Sequence, residues 1–371
     1  MADPVNGDFA DFPTLGIDAN GVYLAGDMSD PSSNTGATLI SIPKIDLLAN
    51  PPSISRRTSF PLLNYAFYGE ILQPVVNLNV SSTSETVLAV SDLGYDEEPH
   101  SSLIASSIQN AGSSTAGLSA GASITIPQYS IPFNPAQPGA NGNIDDGDAR
   151  FSATVYRVGN FVYATHSTQV GLRAAIQWFK INASSFSLID SGIISDPVLD
   201  LFYPSIIANT NETMVIAFNA SSSTNPISSY AVLGEPINGI MNFGGFVLLK
   251  AGTSGYRTNS TSTRWGDYSA LAPDPADPSR FWALTMYPSS SIAWSTQITE
   301  LIAAPVVLSI SNLSSNVSIS WPAAASAYHL QTSTNFSASW SAVAQTPVTN
   351  NNHLLLVLGI TNSAQFFRLI K

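Results

Sequence analysis

Short apolar runs alternating with polar residues follow one another along the whole chain, broken at close intervals by Ser, Gly, Asn or Pro. A period of two marks strands that bury one face, and the breakers between them mark turns, so the chain reads as all-β. The order of the runs carries more than their number. Five segments share one layout: an aromatic or apolar residue, Pro or Ser, a short apolar strand, a polar turn, and a second apolar strand. They are Phe12-Pro13-Thr14-Leu15-Gly16-Ile17 with Val22–Ala25; Leu72-Gln73-Pro74-Val75-Val76 with Val87–Val90; Phe151-Ser152-Ala153-Thr154-Val155 with Phe161–Ala164; Tyr203-Pro204-Ser205-Ile206-Ile207 with Met214–Phe218; and Tyr268-Ser269-Ala270-Leu271 with Phe281–Leu284.

Anchored on Pro13, Pro74, Ser152, Pro204 and Ser269, the segments recur at steps of 61, 78, 52 and 65 residues. Each is followed by a third apolar run, such as Thr38–Ile42 or Ala175–Phe179, and there is room for a fourth, as at Phe186–Gly192 and Phe246–Lys250. Four strands in each unit of this length are the sign of a β-propeller, whose sheets stand radially around a channel. The pattern predicts five visible blades, either a whole ring or part of a larger one. The competing reading is a pair of irregular β-sandwiches. Asp92–His100 and the Gly/Ser/Pro-rich span Asn110–Asn143 read as long loops that account for the oversized step. Such loops often carry binding function.

After Ala303-Ala304-Pro305 the rhythm changes. Val306–Ile310, Val317–Trp321, Tyr328–Thr332, Trp340–Val343, His353–Val357 and Gln365–Leu369 are short strands at closer spacing, the pattern of a small β-sandwich similar to a fibronectin type III module. The expected division is a propeller over residues 1–304 and a sandwich over 305–371.

Composition narrows the setting. Of 371 residues, 44% are hydrophobic and only 10% charged, so Ser, Thr, Asn and Gly must cover the surface, which favours an extracellular β protein. The absence of cysteine excludes disulfides and thiolate chemistry, and fits a bacterial rather than a eukaryotic secreted domain. Met1-Ala2-Asp3-Pro4 lacks a basic start and an apolar core, as expected of the mature part of an exported protein. No apolar run is long enough for a membrane span. With 25 acidic against 13 basic residues, the formal charge of -12 leaves no electrostatic footprint for nucleic acid.

Asp11-Phe12-Pro13-Thr14-Leu15-Gly16-Ile17-Asp18, Asp145-Asp146-Gly147-Asp148-Ala149-Arg150, Phe202-Tyr203-Pro204-Ser205-Ile206 and Arg264-Trp265-Gly266-Asp267-Tyr268 resemble the recurring blade motifs of bacterial secreted sialidase-like propeller proteins of the BNR type. The resemblance covers residues 8–300, and Trp-Gly-Asp-Tyr is its most specific part. It implies a secreted or cell-surface propeller, in a group much of which has no established activity. Relatives often carry further propeller sequence before Asp-Phe-Pro, which is why a larger ring is considered. True sialidases have Asp boxes of the form Ser-x-Asp-x-Gly-x-Thr-Trp. The nearest match, Ser333 to Trp340, lacks the Asp and the Gly and lies outside the propeller, which weakens the transfer of sialidase activity.

Asp11, Asp148, Arg150, Arg264 and Asp267 sit beside the anchors, and the anchor strand of a propeller is its innermost. Their side chains would meet at one mouth of the channel. There Asp11, Asp148 and Asp267 could act as acid and base in glycoside cleavage, with the arginines orienting an acidic sugar. The plainer reading is that Asp–Arg pairs lock neighbouring blades. Asp145, Asp146 and Asp148 form an oxygen-rich cluster able to ligate Ca²⁺, or simply an acidic turn; no other cofactor is indicated. Arg150, Arg264, Trp265, Tyr203 and Tyr268 are the candidate binding residues, the aromatics competing with a role in core packing. The four histidines share no metal spacing, and HExxH, GxSxG and phosphate-loop motifs are absent. The leading expectation is a binding protein for a glycan or another extracellular polymer. A propeller glycoside hydrolase is the alternative, and a self-assembling structural protein the third reading.

Overall fold

We describe a computed structural model of the protein covering residues 8–29, 34–79, 83–93, 99–139, 144–145, 147–237, 239–257, 263–303, 306–325, 328–337, 339–351, 353–360 and 364–370. It divides into two compact units, Met1–Ala303 and Ala304–Lys371. The molecule is all-β, with 58% strand and 3% helix. Among the described residues no helix is long and apolar enough to cross a membrane.

Among the described residues, unit 1 holds five antiparallel blades. Blade 1 is Phe9–Ile17, Gly21–Ser29, Asn34–Pro43 and Thr58–Leu63, and blade 2 is Glu70–Pro74, Ser84–Val90, His100–Gln109 and Ala122–Tyr129. Blade 3 is Tyr156–Val158, Phe161–Val170, Arg173–Asn182 and Leu188–Ile194. Blade 4 is Asp200–Ala208, Met214–Ser221 and Ser228–Ile237, with Ile240–Phe243 and Val247–Lys250 both paired to its third strand. Blade 5 has three strands, Ala270–Pro273, Arg280–Pro288 and Trp294–Ile302.

The first strand of each blade is the innermost. Val76–Asn77, continuing from the first strand of blade 2, pairs in parallel with Ile17 of blade 1 and with Tyr156 of blade 3. Tyr156 in turn donates its hydroxyl to the Leu271 carbonyl of blade 5 at 2.6 Å. Four blades are therefore linked through their first strands or the residues that continue them.

Between blades, apolar faces meet: Tyr23 and Leu39 against Leu72 and Val87; Leu88 and Leu103 against Val162 and Phe179; Trp178 against Ile206 and Phe218; Ile207 and Val215 against Leu271 and Phe281. A sheet covered on both sides needs apolar residues at both phases of its alternation. Asp200–Ala208 and Met214–Ser221 are accordingly buried at every position. The outer strand of blade 5 keeps strict alternation, and the far face of that blade leaves Trp282, Leu284 and Ile298 exposed. The far face of blade 1 does the same with Leu15 and Leu24.

Three details differ from the sequence reading. The span Asn110–Asn143 holds the fourth strand of blade 2, Ala122–Tyr129, whose alternating Ile124 and Ile126 are buried, as is Tyr129 beyond a register shift. Phe151–Val155 is irregular, and the first strand of blade 3 begins at Tyr156. The blade-2 counterpart of Pro13 is Leu72, not Pro74, because the chain bulges at Ile71.

Unit 2 is a β-sandwich. Ser309–Leu313, Asn316–Pro322, His353–Gly359 and Val348–Asn350 form one sheet, and Ser341–Ala342, His329–Ser333 and Phe366–Ile370 the other. Ile319, Trp321 and Leu356 pack between them against Leu330, Phe367 and Leu369.

Candidate functional site

The residues that open the site do so because the inner strands bulge where they begin. Register breaks between Asp11 and Thr14, Glu70 and Gln73, and Phe202 and Ser205. At the break Phe12, Ile71 and Tyr203 take left-handed backbone, with φ of 46°, 54° and 48°. A bulge leaves one residue out of the ladder and re-aims its side chain. Pro13 and Pro204, which lack an N–H, are tolerated just after it. Ahead of blade 5 the turn is made by Gly266, at φ 74°, where a Cβ would lie 2.7 Å from the Tyr203 ring. Only glycine fits there.

While Ile71 packs in the core, Phe12 and Tyr203, with the segment leading into blade 3 and the turn ahead of blade 5, enclose a cavity of about 240 Å³. Phe12, Asp145, Asp148, Arg150, Ser152, Ser167, Tyr203, Arg264 and Asp267 line it. Asp148 is fully buried, and Arg150 holds it by two bonds, Nε to Oδ1 at 2.7 Å and Nη2 to Oδ2 at 2.5 Å. Asp148 Oδ1 also accepts the Arg150 backbone N–H at 2.9 Å. The guanidinium lies 4.5 Å from the centre of the Phe12 ring, and that ring stacks on Tyr268 at 4.6 Å. Charge and π faces thus form a column from buried Asp148 to half-exposed Tyr268. At the rim, Arg264 and Asp267 make a 3.1 Å pair, with Arg264 73% exposed. An ion pair this open contributes little to stability and is available to a ligand.

The segment that brings Asp145, Asp148 and Arg150 to the mouth is held at several points. Gln137 donates to the Tyr256 carbonyl at 2.8 Å and accepts the Tyr256 N–H at 2.7 Å. Ile144–Asp145 pairs in parallel with Thr263–Arg264. Beneath it His166 lies fully buried among Tyr129, Phe151 and Phe179, with Nδ1 2.7 Å from the Ala149 carbonyl and Nε2 3.0 Å from Gln177 Oε1. Burial pushes its basicity down, against the pull of Gln177, Ala149 and Asp148.

Of the residues singled out from sequence, Asp145, Asp148, Arg150, Tyr203, Arg264 and Asp267 line one cavity, and Tyr268 stacks at its edge. Asp11 stands outside the lining, opposite Asp27 in the blade-1 ladder, and accepts the Phe12 N–H at 2.8 Å. Trp265 is placed in the core, 2% exposed, donating Nε1–H to Asn219 Oδ1 at 3.1 Å. Its buried N–H needs that partner, and the Gly266 turn directs the indole inward. Asp146 lies outside the described residues. Of the residues expected to ligate Ca²⁺, Asp148 bonds Arg150 through both oxygens, and Asp145 Oδ1 accepts the Gly147 N–H at 3.2 Å. Among the described residues no three His, Cys, Asp or Glu side chains are grouped to hold a metal ion.

Two carboxylates that lie outside the cavity lining but feel the charges of Asp148 and Arg150 escaped the sequence reading. Burial, with Asp11 and Asp148 adding and Arg150 opposing, raises Asp27 to about 6. Burial, with Asp92, Asp27 and Asp148 adding and Arg150 opposing, raises Glu70 to about 7. Glu70 directly precedes the bulge residue Ile71, as Asp11 precedes Phe12. Anchoring blade 2 on Ile71-Leu72 instead of Pro74 would have found it.

No family model matches the chain, and no curated protein matches it. Solved structures similar to it include a protein of unknown function from Dyadobacter fermentans, 10% identical, with a TM-score of 0.43 over 86% of this chain and 91% of that one. An alpha-L-arabinofuranosidase from Lactobacillus brevis is 8% identical, with a TM-score of 0.40 over 78% and 90%. A neuraminidase-like protein of the strain A/little yellow-shouldered bat/Guatemala is 8% identical, with a TM-score of 0.39 over 85% and 91%. Identities and TM-scores this low say nothing about what this chain binds.

Proposed function

We propose that unit 1 is a carbohydrate-binding propeller whose mouth takes a neutral sugar, on a secreted or cell-surface protein. The observation that supports this most is the state of the cavity's charges. Asp148 is tied by two bonds to Arg150, and Asp267 is paired with Arg264, while Tyr268, stacked on Phe12, is half-exposed and offers a ring face at the edge. Ring faces for C–H surfaces, with a few fixed polar groups for hydroxyls, are what a sugar pocket requires. A volume of about 240 Å³ lies under the ~300–1,000 Å³ usual for larger small-molecule ligands, and so suits one sugar unit. Carboxylates at and around the mouth outnumber guanidiniums, which disfavours an acidic sugar.

The test is a screen of the full chain on an array of neutral and acidic glycans, followed by titration of the hits. Arg264→Ala and Tyr268→Ala should each weaken neutral-sugar binding by about tenfold, roughly 1.4 kcal/mol, with the melting temperature unchanged. Binding confined to acidic glycans, or indifferent to both variants, would remove this reading. Hydrolysis is the second reading, and it is the raised Glu70 and Asp27 that favour it, since a general acid must hold its proton near neutral pH. Turnover of an array hit that disappears in Glu70→Gln, with binding retained, would establish it.

A further inference from the structure

A second cavity, of about 1090 Å³, opens over the seam between blades 3 and 4. It lies on the same face as the mouth. Ser167 of the mouth and Val170 of this groove share one strand, as do Tyr203 of the mouth and Asp200 of the groove. Three residues of extended chain separate each pair, roughly 10 Å. We propose that a linear neutral glycan binds across both, its end unit in the mouth and the following units along the groove. This rests on the sugar-binding reading of the mouth and extends it to a polymer.

The groove is built, not incidental. Asp200, 4% exposed, ties its three walls together. Its Oδ2 accepts the Ala136 N–H at 3.1 Å and faces Arg173 Nη1 at 3.4 Å, while its Oδ1 accepts the Ala174 N–H at 3.3 Å. Arg173 also donates Nε–H to the Pro197 carbonyl at 3.1 Å, and Ser221 donates its hydroxyl to the Ala136 carbonyl at 2.7 Å. One buried carboxylate thus fixes three surface segments, the preorganisation a binding surface needs. Phe133, 43% exposed, and Leu172, 85% exposed, offer apolar faces beside the exposed polar side chains of Asn134 and Ser195. An extended sugar chain presents the same alternation of C–H faces and hydroxyl edges. The Arg173 guanidinium is paired with Asp200, and Asp196 adds a second carboxylate to the lining, so the groove does not select for an anionic polymer.

The experiment titrates the full chain with neutral xylo-, manno-, cello- and galacto-oligosaccharides, each graded from monomer to hexamer. In at least one series Kd should fall by about tenfold or more from dimer to hexamer. Phe133→Ser and Leu172→Ser should return the hexamer to the dimer's Kd while leaving the dimer's Kd and the melting temperature unchanged. Arg264→Ala should weaken both lengths. Affinity that does not grow with length, or hexamer binding untouched by the groove variants, overturns the inference and leaves the mouth reading standing. Hexamer binding lost with Phe133→Ser but indifferent to Arg264→Ala and Tyr268→Ala overturns the mouth reading and the continuous chain together. Binding of no neutral series does the same.

Discussion

Phe12 and Tyr203 hold a backbone conformation that side chains of their kind rarely adopt, and both face the same cavity. Each such residue costs on the order of 1–3 kcal/mol, which the surrounding packing must offset. Phe12 is offset by Arg150 over one face of its ring and Tyr268 stacked on it. A different residue stores a cost that pH can read out. Glu85, 1% exposed in blade 2, is raised to about 9 by burial and by the Asp18 charge, against the pull of Arg157 and Asn77. Below its ordinary value of 4.5 both folded and unfolded chains carry the proton, and nothing is lost. Between 4.5 and about 9 only the folded chain keeps it, so stability falls as pH rises through that window and levels off above it. Glu85→Gln should therefore raise the melting temperature at pH 8 and flatten its decline between pH 5 and 9, as followed by thermal denaturation across that range. A variant less stable than the parent at pH 8 would contradict this account.

At the scale of elements, the mouth depends on a long segment between blades 2 and 3 that belongs to neither sheet. Its order comes from specific bonds instead of a ladder, and Gln137 supplies two of them to Tyr256. Gln137 is 5% exposed, so its loss strands a buried N–H and a buried carbonyl that water does not readily reach. Gln137→Ala should cost about 1–3 kcal/mol in urea unfolding. It should also weaken sugar binding, because Asp145 and Asp148 lie on the same segment. A stability loss with binding intact would show that the parallel pairing of Ile144–Asp145 with Thr263–Arg264 alone suffices to place the mouth.

At the scale of the molecule, the two units have separate cores. Trp321, 1% exposed, packs with Ile319, Leu330 and Leu356 inside the sandwich. Trp321→Ala should cost that unit about 3–5 kcal/mol. Calorimetry should show one transition moved down and the propeller's transition in place, with sugar affinity unchanged. Joint movement of both transitions would mean that the units fold as one.

The all-β class, the five units and the change of rhythm near residue 304 were legible in the sequence, because alternation and turn residues are local properties that each strand carries with it. The meeting of Asp148, Arg150, Arg264 and Asp267 was legible too, once the repeat placed them beside inner strands. What the sequence could not reveal depends on neighbours far along the chain. The bulge at Ile71 puts Leu72, not Pro74, at the anchor position, so Glu70 stands ahead of the bulge as Asp11 stands ahead of Phe12. Trp265 and Tyr268 stand three residues apart in one motif, yet Asn219 receives the first in the core and Phe12 stacks the second at the surface. Proximity between blades, and the burial that raises Asp27 and Glu70, exist only when sheets from distant parts of the chain close around an axis.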